Sequence, residues 1–306
     1  MVSFELLPAC VLRSCKDTKM SISIPSVCSL LIAMVCLVTA PVDRVLGQID
    51  RELEFRIETK MFTEDGKEPA FTNKTIFSQG LIFDFPMAAG NKAPEEVLVY
   101  DSNLKVISLL DLKRQMQVRL LDVQLKKMTD SVRQQMATDD RARAMVEQTF
   151  EEKLDADKGS LELIGSQNMT YRLYGTTPKS PKLLSAYFEF LDVFTQVQIT
   201  DPKKLPPFAR LRLNESIRRV GWVPDRVEVS VGKSDFFPSS FKARTEHKIF
   251  MDVTDRDRSE ITLAKKNWAA LPEVSLAKYR GFKEKSSFFE RVAEGAKQDP
   301  SKAPTN

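Results

Sequence analysis

Cysteine and histidine are scarce in this chain of 306 residues. All four cysteines (Cys10, Cys15, Cys28 and Cys36) lie near the amino terminus, and the single histidine is His247. Beyond Cys36 the chain therefore cannot form a disulfide framework, a cysteine-ligated zinc site or a cysteine nucleophile. A single histidine also removes the commonest component of metal sites and catalytic triads.

Sequence signatures of nucleotide binding and of common hydrolases are also absent. The chain contains no Walker loop, dinucleotide glycine fingerprint, zincin histidine pair or nucleophile elbow. The net charge is only +4, which provides no electrostatic argument for a nucleic-acid partner. These absences favour binding over catalysis, and we expect neither a cofactor nor a metal.

One uncharged, largely apolar run, VCSLLIAMVCLVTA, occupies residues 27–40. It is shorter than the roughly 20 residues needed to span a bilayer. Basic residues precede it and Gly47 follows it, which is typical of a secretory signal. We expect residues 1–47 to be a cleaved signal peptide, with Met20 as an alternative start. The alternative interpretations of this run are a buried core segment and an uncleaved anchor helix. Cleavage would leave a cysteine-free protein, periplasmic or extracellular, without a stable membrane span.

The chain after this leader begins with alternating apolar and polar residues. Such a period of two predicts strands with one face on a core and the other in water. The connections are short and polar, which favours antiparallel pairing of about five strands. The expected strands lie within residues 51–62, 71–85, 96–100, 105–110 and 114–120.

Helical periodicity replaces the alternation at Asp122, which we expect to cap an amphipathic helix. A second helix should carry Val146, Phe150 and Leu154 on one stripe. Further strands are expected at 161–164, 170–174, 226–231 and 243–251. Further helices are expected after Pro206-Pro207, ending at Arg219, and at 259–271. No linker divides the chain, so we expect one α+β domain over residues 48–282 and a polar, largely disordered tail over 283–306.

The segment 183–197 is predicted to be a helix that begins after a Ser180 cap and Pro181. It is apolar on more than one side, which a helix exposed to water on half of its surface would not be. It therefore either occupies the core or lines an apolar cavity. The expected lining residues are Phe188, Leu191 and Phe194 on this helix and Phe55 and Ile57 on the facing strand.

Other polar motifs are interpreted as structural. The acidic segments 155–159 and 255–259 approach a calcium-loop pattern but lack its glycine and its final glutamate, so they predict turns and helix caps. His247 lies in an alternating strand, where a hydrogen-bonded histidine is commoner than a catalytic one. The glycosylation triplets, which arise often by chance, begin at Asn73, Asn168 and Asn214.

The strand sequences LIFDFP, EVLVYDSNLKVISLLD and RQMQVRLLD, followed by a helix, resemble the half-open barrel of periplasmic lipoprotein-carrier (LolA-like) proteins and related envelope-stress sensors. The strand end Val99-Tyr100-Asp101 and the helix at 183–197 also match. The resemblance, over residues 51–122, implies a curved antiparallel sheet that wraps around helices and an apolar cavity for acyl chains. It assigns no site residue.

Three functions follow from these observations. The first is an exported, non-enzymatic binding protein with an apolar concavity for a lipid, an acyl chain, a lipoprotein or another protein segment. The second is a hydrolase of envelope polymers that works through paired carboxylates. The third is a structural or interaction domain with a filled core. An open cavity, two convergent carboxylates and a packed interior would distinguish them.

Overall fold

The computed structural model describes residues 53–63, 66–201, 204, 206–233 and 239–282, with only the backbone of Arg141. The predicted signal peptide (1–47) and the predicted tail (283–306) lie outside the described residues.

Eleven strands form one curved, unclosed antiparallel sheet. Their order is β6-β5-β4-β3-β2-β1-β11-β10-β9-β8-β7, so two meanders meet where β1 pairs with β11. The strands are β1 Phe55–Thr63, β2 Phe71–Ser78, β3 Leu81–Ala88, β4 Glu96–Asp101, β5 Val106–Asp111, β6 Met116–Leu121, β7 Phe150–Asp155, β8 Ser160–Gly165, β9 Met169–Thr176, β10 Val223–Val231 and β11 Phe241–Phe250.

Six α-helices accompany the sheet in the described part of the chain: α1 Asp122–Met136, α2 Asp140–Val146, α3 Pro181–Val197, α4 Phe208–Val220, α5 Asp255–Ala270 and α6 Leu276–Arg280. The predicted cap of α3 is confirmed, because the Ser180 hydroxyl accepts a hydrogen bond from the Leu183 amide at 3.3 Å. The predicted fold class, a curved antiparallel sheet packed against several helices, is confirmed as well.

The first meander has six strands rather than the five expected, because residues 71–85 do not form one extended run. A turn at Gln79 and Gly80 divides them, and both residues have positive φ, 56° and 77°. A two-residue turn with positive φ at both positions has a twist that matches the twist of the flanking strands. The sequence Gln79-Gly80 differs from the Asn-Gly or Asp-Gly pair that usually signals such a turn. Pro86 lies inside β3 instead of ending it, since β4 pairs with β3 only as far as Asp84.

The second helix expected after α1 is wrong in its carboxyl half. Phe150 and Leu154 belong to the strand β7, and only the short α2 precedes it. Residues four apart share a face in a helix and also in a strand, so this spacing fits both periods.

Helix starts also differ from expectation. Asp122 is the first residue of α1 rather than its cap, which is Leu121. Helix α5 begins at Asp255, four residues before the predicted start, because Thr254 and Asp257 form a reciprocal capping box. The acidic segment 255–259 is therefore the first turn of a helix and not a loop.

The helices α1, α3 and α4 pack on one face of the sheet, which we call the concave face. Buried side chains from both meanders and from α3 form a continuous core there, including Phe77, Leu161 and Leu191. On the opposite face, α5 covers β2 to β5 through a second core that contains Phe83, Val99 and Ile261. The first meander is thus covered by helices on both faces.

Candidate functional site

The five predicted lining residues all lie in or against the core of the concave face. Phe55 and Ile57 project from β1, while Phe188, Leu191 and Phe194 belong to α3. Phe55 stacks on Phe77 with ring centroids 4.0 Å apart, and Phe77 meets Phe190 of α3 edge-on at 5.7 Å. The ring of Phe55 is therefore connected to α3 through Phe77 of β2.

Helix α3 itself fills the concave face at this point. Phe55 is fully buried, and Phe188 and Leu191 are only 7% and 6% exposed. Phe194 is half-buried at the edge of the same core. Any ligand that binds this packed arrangement must therefore lie beside α3 rather than beneath it.

Beside α3, the concave-facing side chains of the central strands are only half-buried. Cross-strand pairing places Thr59 between Asn73 and His247, and Met61 between Phe71 and Thr245. The strip therefore combines an apolar floor with a row of hydroxyl, amide and imidazole groups. We call it the concave strip, and it comprises Thr59, Met61, Phe71, Asn73, Tyr171, Ala243, Thr245, His247 and Ile249.

The imidazole of His247 is held between two threonines of the concave strip. Its Nδ1 lies 2.9 Å from the Thr59 hydroxyl, and its Nε2 lies 3.0 Å from the Thr245 hydroxyl. Burial, and to a smaller extent the positive charge of Arg210, lowers the pKa of His247 to about 3. The ring is therefore neutral near pH 7, with one nitrogen that donates and one that accepts.

Arg210 of α4 is a half-buried cation near the concave strip. Its positive charge contributes to the lowered pKa of His247. Burial raises the pKa of Tyr171, and it raises the pKa of Tyr187 to about 12; the charge of Arg210 opposes both increases. Arg210 forms no ion pair with any described residue. Its guanidinium group is thus available for an anion, and sequence reasoning had not singled it out.

Asp84 of β3 lies at one end of the polar row. It is 1% exposed and accepts hydrogen bonds from the Thr75 hydroxyl at 2.5 Å and from the Asn73 amide at 2.7 Å. Burial raises the pKa of Asp84 to about 6 against these hydrogen bonds and the charge of Lys204. The sequence signal was present but not used, since a carboxylate alternates inward with Ile82 in an apolar strand.

Glu96 is the acidic residue whose charge adds to the raised pKa of Asp84. Its Oε2 atom accepts a hydrogen bond from the Tyr279 hydroxyl at 2.7 Å and one from Arg280 at 3.4 Å. Glu96 is therefore held by α6 rather than presented to a substrate. Within the part of the chain that the structure describes, no three His, Cys, Asp or Glu residues lie together as a metal-ligand group.

Two of the three glycosylation triplets place their asparagine inside the fold. Asn214 is 1% exposed and donates a hydrogen bond to the Thr195 hydroxyl at 3.2 Å. Asn73 donates to Asp84 from the concave face. Asn168 alone of the three is exposed, at the turn between β8 and β9.

A separate cleft of about 460 Å³ lies between α1, α2 and α4. Its walls include the apolar side chains of Met145, Phe150 and Phe208 and the polar side chains of Arg133 and Gln148. None of the five predicted lining residues contributes to it. Helices α1 and α4 therefore border this cleft as well as the main core.

No family model and no curated protein matches the chain. In the described ranges, no helix has both the length and the apolar character that a bilayer crossing requires.

Proposed function

We propose that the protein is an exported, non-enzymatic binding protein that holds an acyl chain with an anionic head group on the concave strip. The observation that carries the proposal is Arg210, a half-buried cation without an ion-pair partner among the described residues, whose charge acts on His247 of the concave strip. The apolar residues of that strip include Met61, Phe71 and Ile249. An acyl ligand is also what the resemblance to lipoprotein carriers implies.

The chemistry of the strip suits an amphiphile. A guanidinium group binds a carboxylate or phosphate through paired hydrogen bonds, and partial burial strengthens that attraction. His247, whose two ring nitrogens bond to Thr59 and Thr245, is neutral and so adds no charge that would compete with Arg210 for the head group. Each methylene of the ligand that leaves water for the apolar floor contributes about 0.8 kcal/mol to binding.

Calorimetric titration with palmitate tests this proposal. We expect wild-type protein to bind palmitate and Arg210→Gln to bind it at least about tenfold more weakly, because the head group loses its charged partner. Arg212→Gln is the matched control, since Arg212 is exposed on the same helix and paired with Glu215. The NMR signals of the single imidazole should shift on binding to wild-type protein.

Wild-type protein that neither binds palmitate nor shows a shift at His247 would refute an acyl ligand on the strip. Equal affinity in Arg210→Gln and Arg212→Gln would refute the role of Arg210 alone. The burial of Phe188 and Leu191 favours another candidate function, a structural or interaction domain with a filled core, which predicts no lipid binding. The hydrolase remains a hypothesis. The hydrogen bond that Glu96 accepts from Tyr279 of α6 makes this carboxylate a poor candidate for one of the two that such an enzyme needs.

A further inference from the structure

The strand β7 ends the sheet, and no described strand pairs with its far side. The Thr149 carbonyl accepts a hydrogen bond from the Ser166 amide at 3.1 Å, in register with the β7–β8 ladder. Antiparallel ladders alternate bonded and non-bonded pairs, so the odd-numbered residues of β7 bond to β8. The backbone groups of Phe150, Glu152 and Leu154 consequently point to the free edge.

The side chains of β7 are arranged for a specific neighbour. Leu154 is 51% exposed although it lies on the concave side with Phe150. On the other side, Glu151 and Lys153 have 65% and 56% of their side chains exposed. Such an edge would expose an apolar residue and unpaired backbone groups to water, which sheet proteins normally avoid.

We propose that this edge pairs with β7 of a second copy of the chain. A two-fold axis at Glu152 places Phe150 opposite the second copy's Leu154 and Glu151 opposite its Lys153. Each half of the interface then has one apolar pair and one pair of opposite charges on matching faces. The outward backbone groups of Phe150, Glu152 and Leu154 occupy the bonded positions of the new ladder.

Glu152, which lies on the proposed two-fold axis, is already paired with a cation of its own copy. Glu152 accepts hydrogen bonds from Arg219 and, at 2.8 Å, from the Ser216 hydroxyl. Burial alone would raise the pKa of Glu152, but the hydrogen bonds from Arg219 and Ser216 keep this pKa below its usual value. Two Glu152 carboxylates can therefore approach each other with their own arginines beside them.

The opposite end of the sheet shows how the chain closes an edge that has no partner. There Gln117 of β6 bonds through its backbone to Pro272 and Val274, both at 2.8–2.9 Å. The described chain supplies no such segment for β7. Charge complementarity and the exposed Leu154 thus point to a second copy rather than to a peptide of unspecified sequence.

Sedimentation velocity on the full-length protein, from about 1 to about 200 μM, tests the proposed pairing. A six-residue strand buries less surface than a standard interface, so we expect a concentration-dependent dimer. Lys153→Glu and Glu151→Lys each place like charges opposite each other in both halves. Each should weaken the dimer about tenfold.

An equimolar mixture of the two single variants provides the decisive measurement. Across their interface every charged pair is again opposite in sign, so the mixture should form a heterodimer although neither variant dimerises well alone. Lys127→Glu, an equal charge change at an exposed residue of α1, should leave the dimer unchanged.

Wild-type protein that stays monomeric over the whole range would overturn the proposal. A mixture no more dimeric than its components would overturn the register. Coincident thermal melting of all variants confirms that the exposed substitutions have not unfolded the chain, as expected for the weak Glu151–Lys153 pair. The proposal is independent of lipid binding, which Arg210 tests separately.

Discussion

Asp84 is a buried carboxyl whose proton is linked to folding. Burial raises its pKa in the folded protein to about 6, from 3.8 in an unfolded chain. The stability that this proton contributes is therefore complete below about pH 4 and is lost as the pH rises through about 6. His247, whose pKa is lowered, acts in the opposite direction, because its contribution is present above pH 6.5 and is lost on acidification.

We predict that Asp84→Asn removes this pH dependence. The free energy of unfolding of wild-type protein should fall relative to the variant by about 2 kcal/mol between pH 4 and pH 7. Urea unfolding of both proteins across this range measures the difference, from which the contribution of His247 cancels. Asp130→Asn, at an exposed residue of α1, is the control. A difference between wild type and Asp84→Asn that does not change with pH would contradict the prediction.

At the level of single residues, the alternation of Asp84 with Ile82 indicates which face of β3 Asp84 occupies but not which residues it contacts. Those partners, Thr75 and Asn73, depend on the register of β2 against β3. That register follows from the turn at Gln79 and Gly80, whose sequence carries no strong turn signal. The site residue Arg210 was equally hidden, since the polarity of a helix does not show which side chain lacks a counterion.

At the level of elements, one carboxylate joins α5 to the first meander. Asp257 is 2% exposed and accepts hydrogen bonds from Lys74 at 2.8 Å and from the Thr254 amide at 2.9 Å, while Arg56 lies 3.4 Å away. Burial alone would raise the pKa of Asp257, but the hydrogen bonds from Lys74 and Thr254 lower this pKa below its usual value. The group thus completes the capping box of α5 and is shared by two strand cations, Lys74 and Arg56.

We predict that Asp257→Ala destabilises the protein by about 2 kcal/mol, because Lys74 and Arg56 lose their buried anionic partner and α5 loses half of its capping box. The two cations keep only more exposed partners, Glu260 for Lys74 and Glu58 and Asp252 for Arg56. Asp255→Ala, in the same first turn but exposed, should cost under about 1 kcal/mol. Urea unfolding at pH 7 compares the two. Equal losses in both variants would show that the helix dipole, rather than the buried contacts, accounts for the effect.

Elements with a strong periodic pattern were predicted well. The alternation over 96–100, 105–110 and 114–120 corresponds to β4, β5 and β6, and the apolar segment 183–197 corresponds to α3. Prediction was wrong where a spacing fits two periods, as for Phe150 and Leu154. It also misplaced the start of α5, because the Thr254–Asp257 capping box lies before the apolar pattern begins.

At the level of the whole molecule, α6 ties the last described segment to the sheet. Tyr279 is fully buried and donates a hydrogen bond to Glu96 of β4, while Arg280 donates one to the Thr200 hydroxyl at 2.8 Å. The helix therefore connects β4 to the segment that follows α3.

We predict that Tyr279→Phe destabilises the protein by about 2 kcal/mol, since a hydrogen bond to a charged acceptor is lost in a buried place. Tyr174→Phe is the matched control, because the Tyr174 hydroxyl bonds to no described residue. Thermal unfolding of both variants measures the effect. If the two variants melt together, the contact between Tyr279 and Glu96 contributes nothing to stability.

The complete sheet could not be predicted, although its strands mostly were. Its centre depends on contacts such as Thr59 with His247, which are 188 residues apart and leave no local signal. The same remoteness hid the concave strip, whose polar row is assembled from both meanders. Local pattern therefore predicted the strands of the sheet but not their order.

The pairing of β1 with β11 has a consequence for the order of folding events. Strand β1 comes early in the chain and β11 late, so the central seam cannot form until nearly all of the polypeptide is available. Until then the first meander has a free edge at β1. Topologies dominated by such distant pairings fold slowly. The nascent chain must therefore remain open at its centre through most of its synthesis.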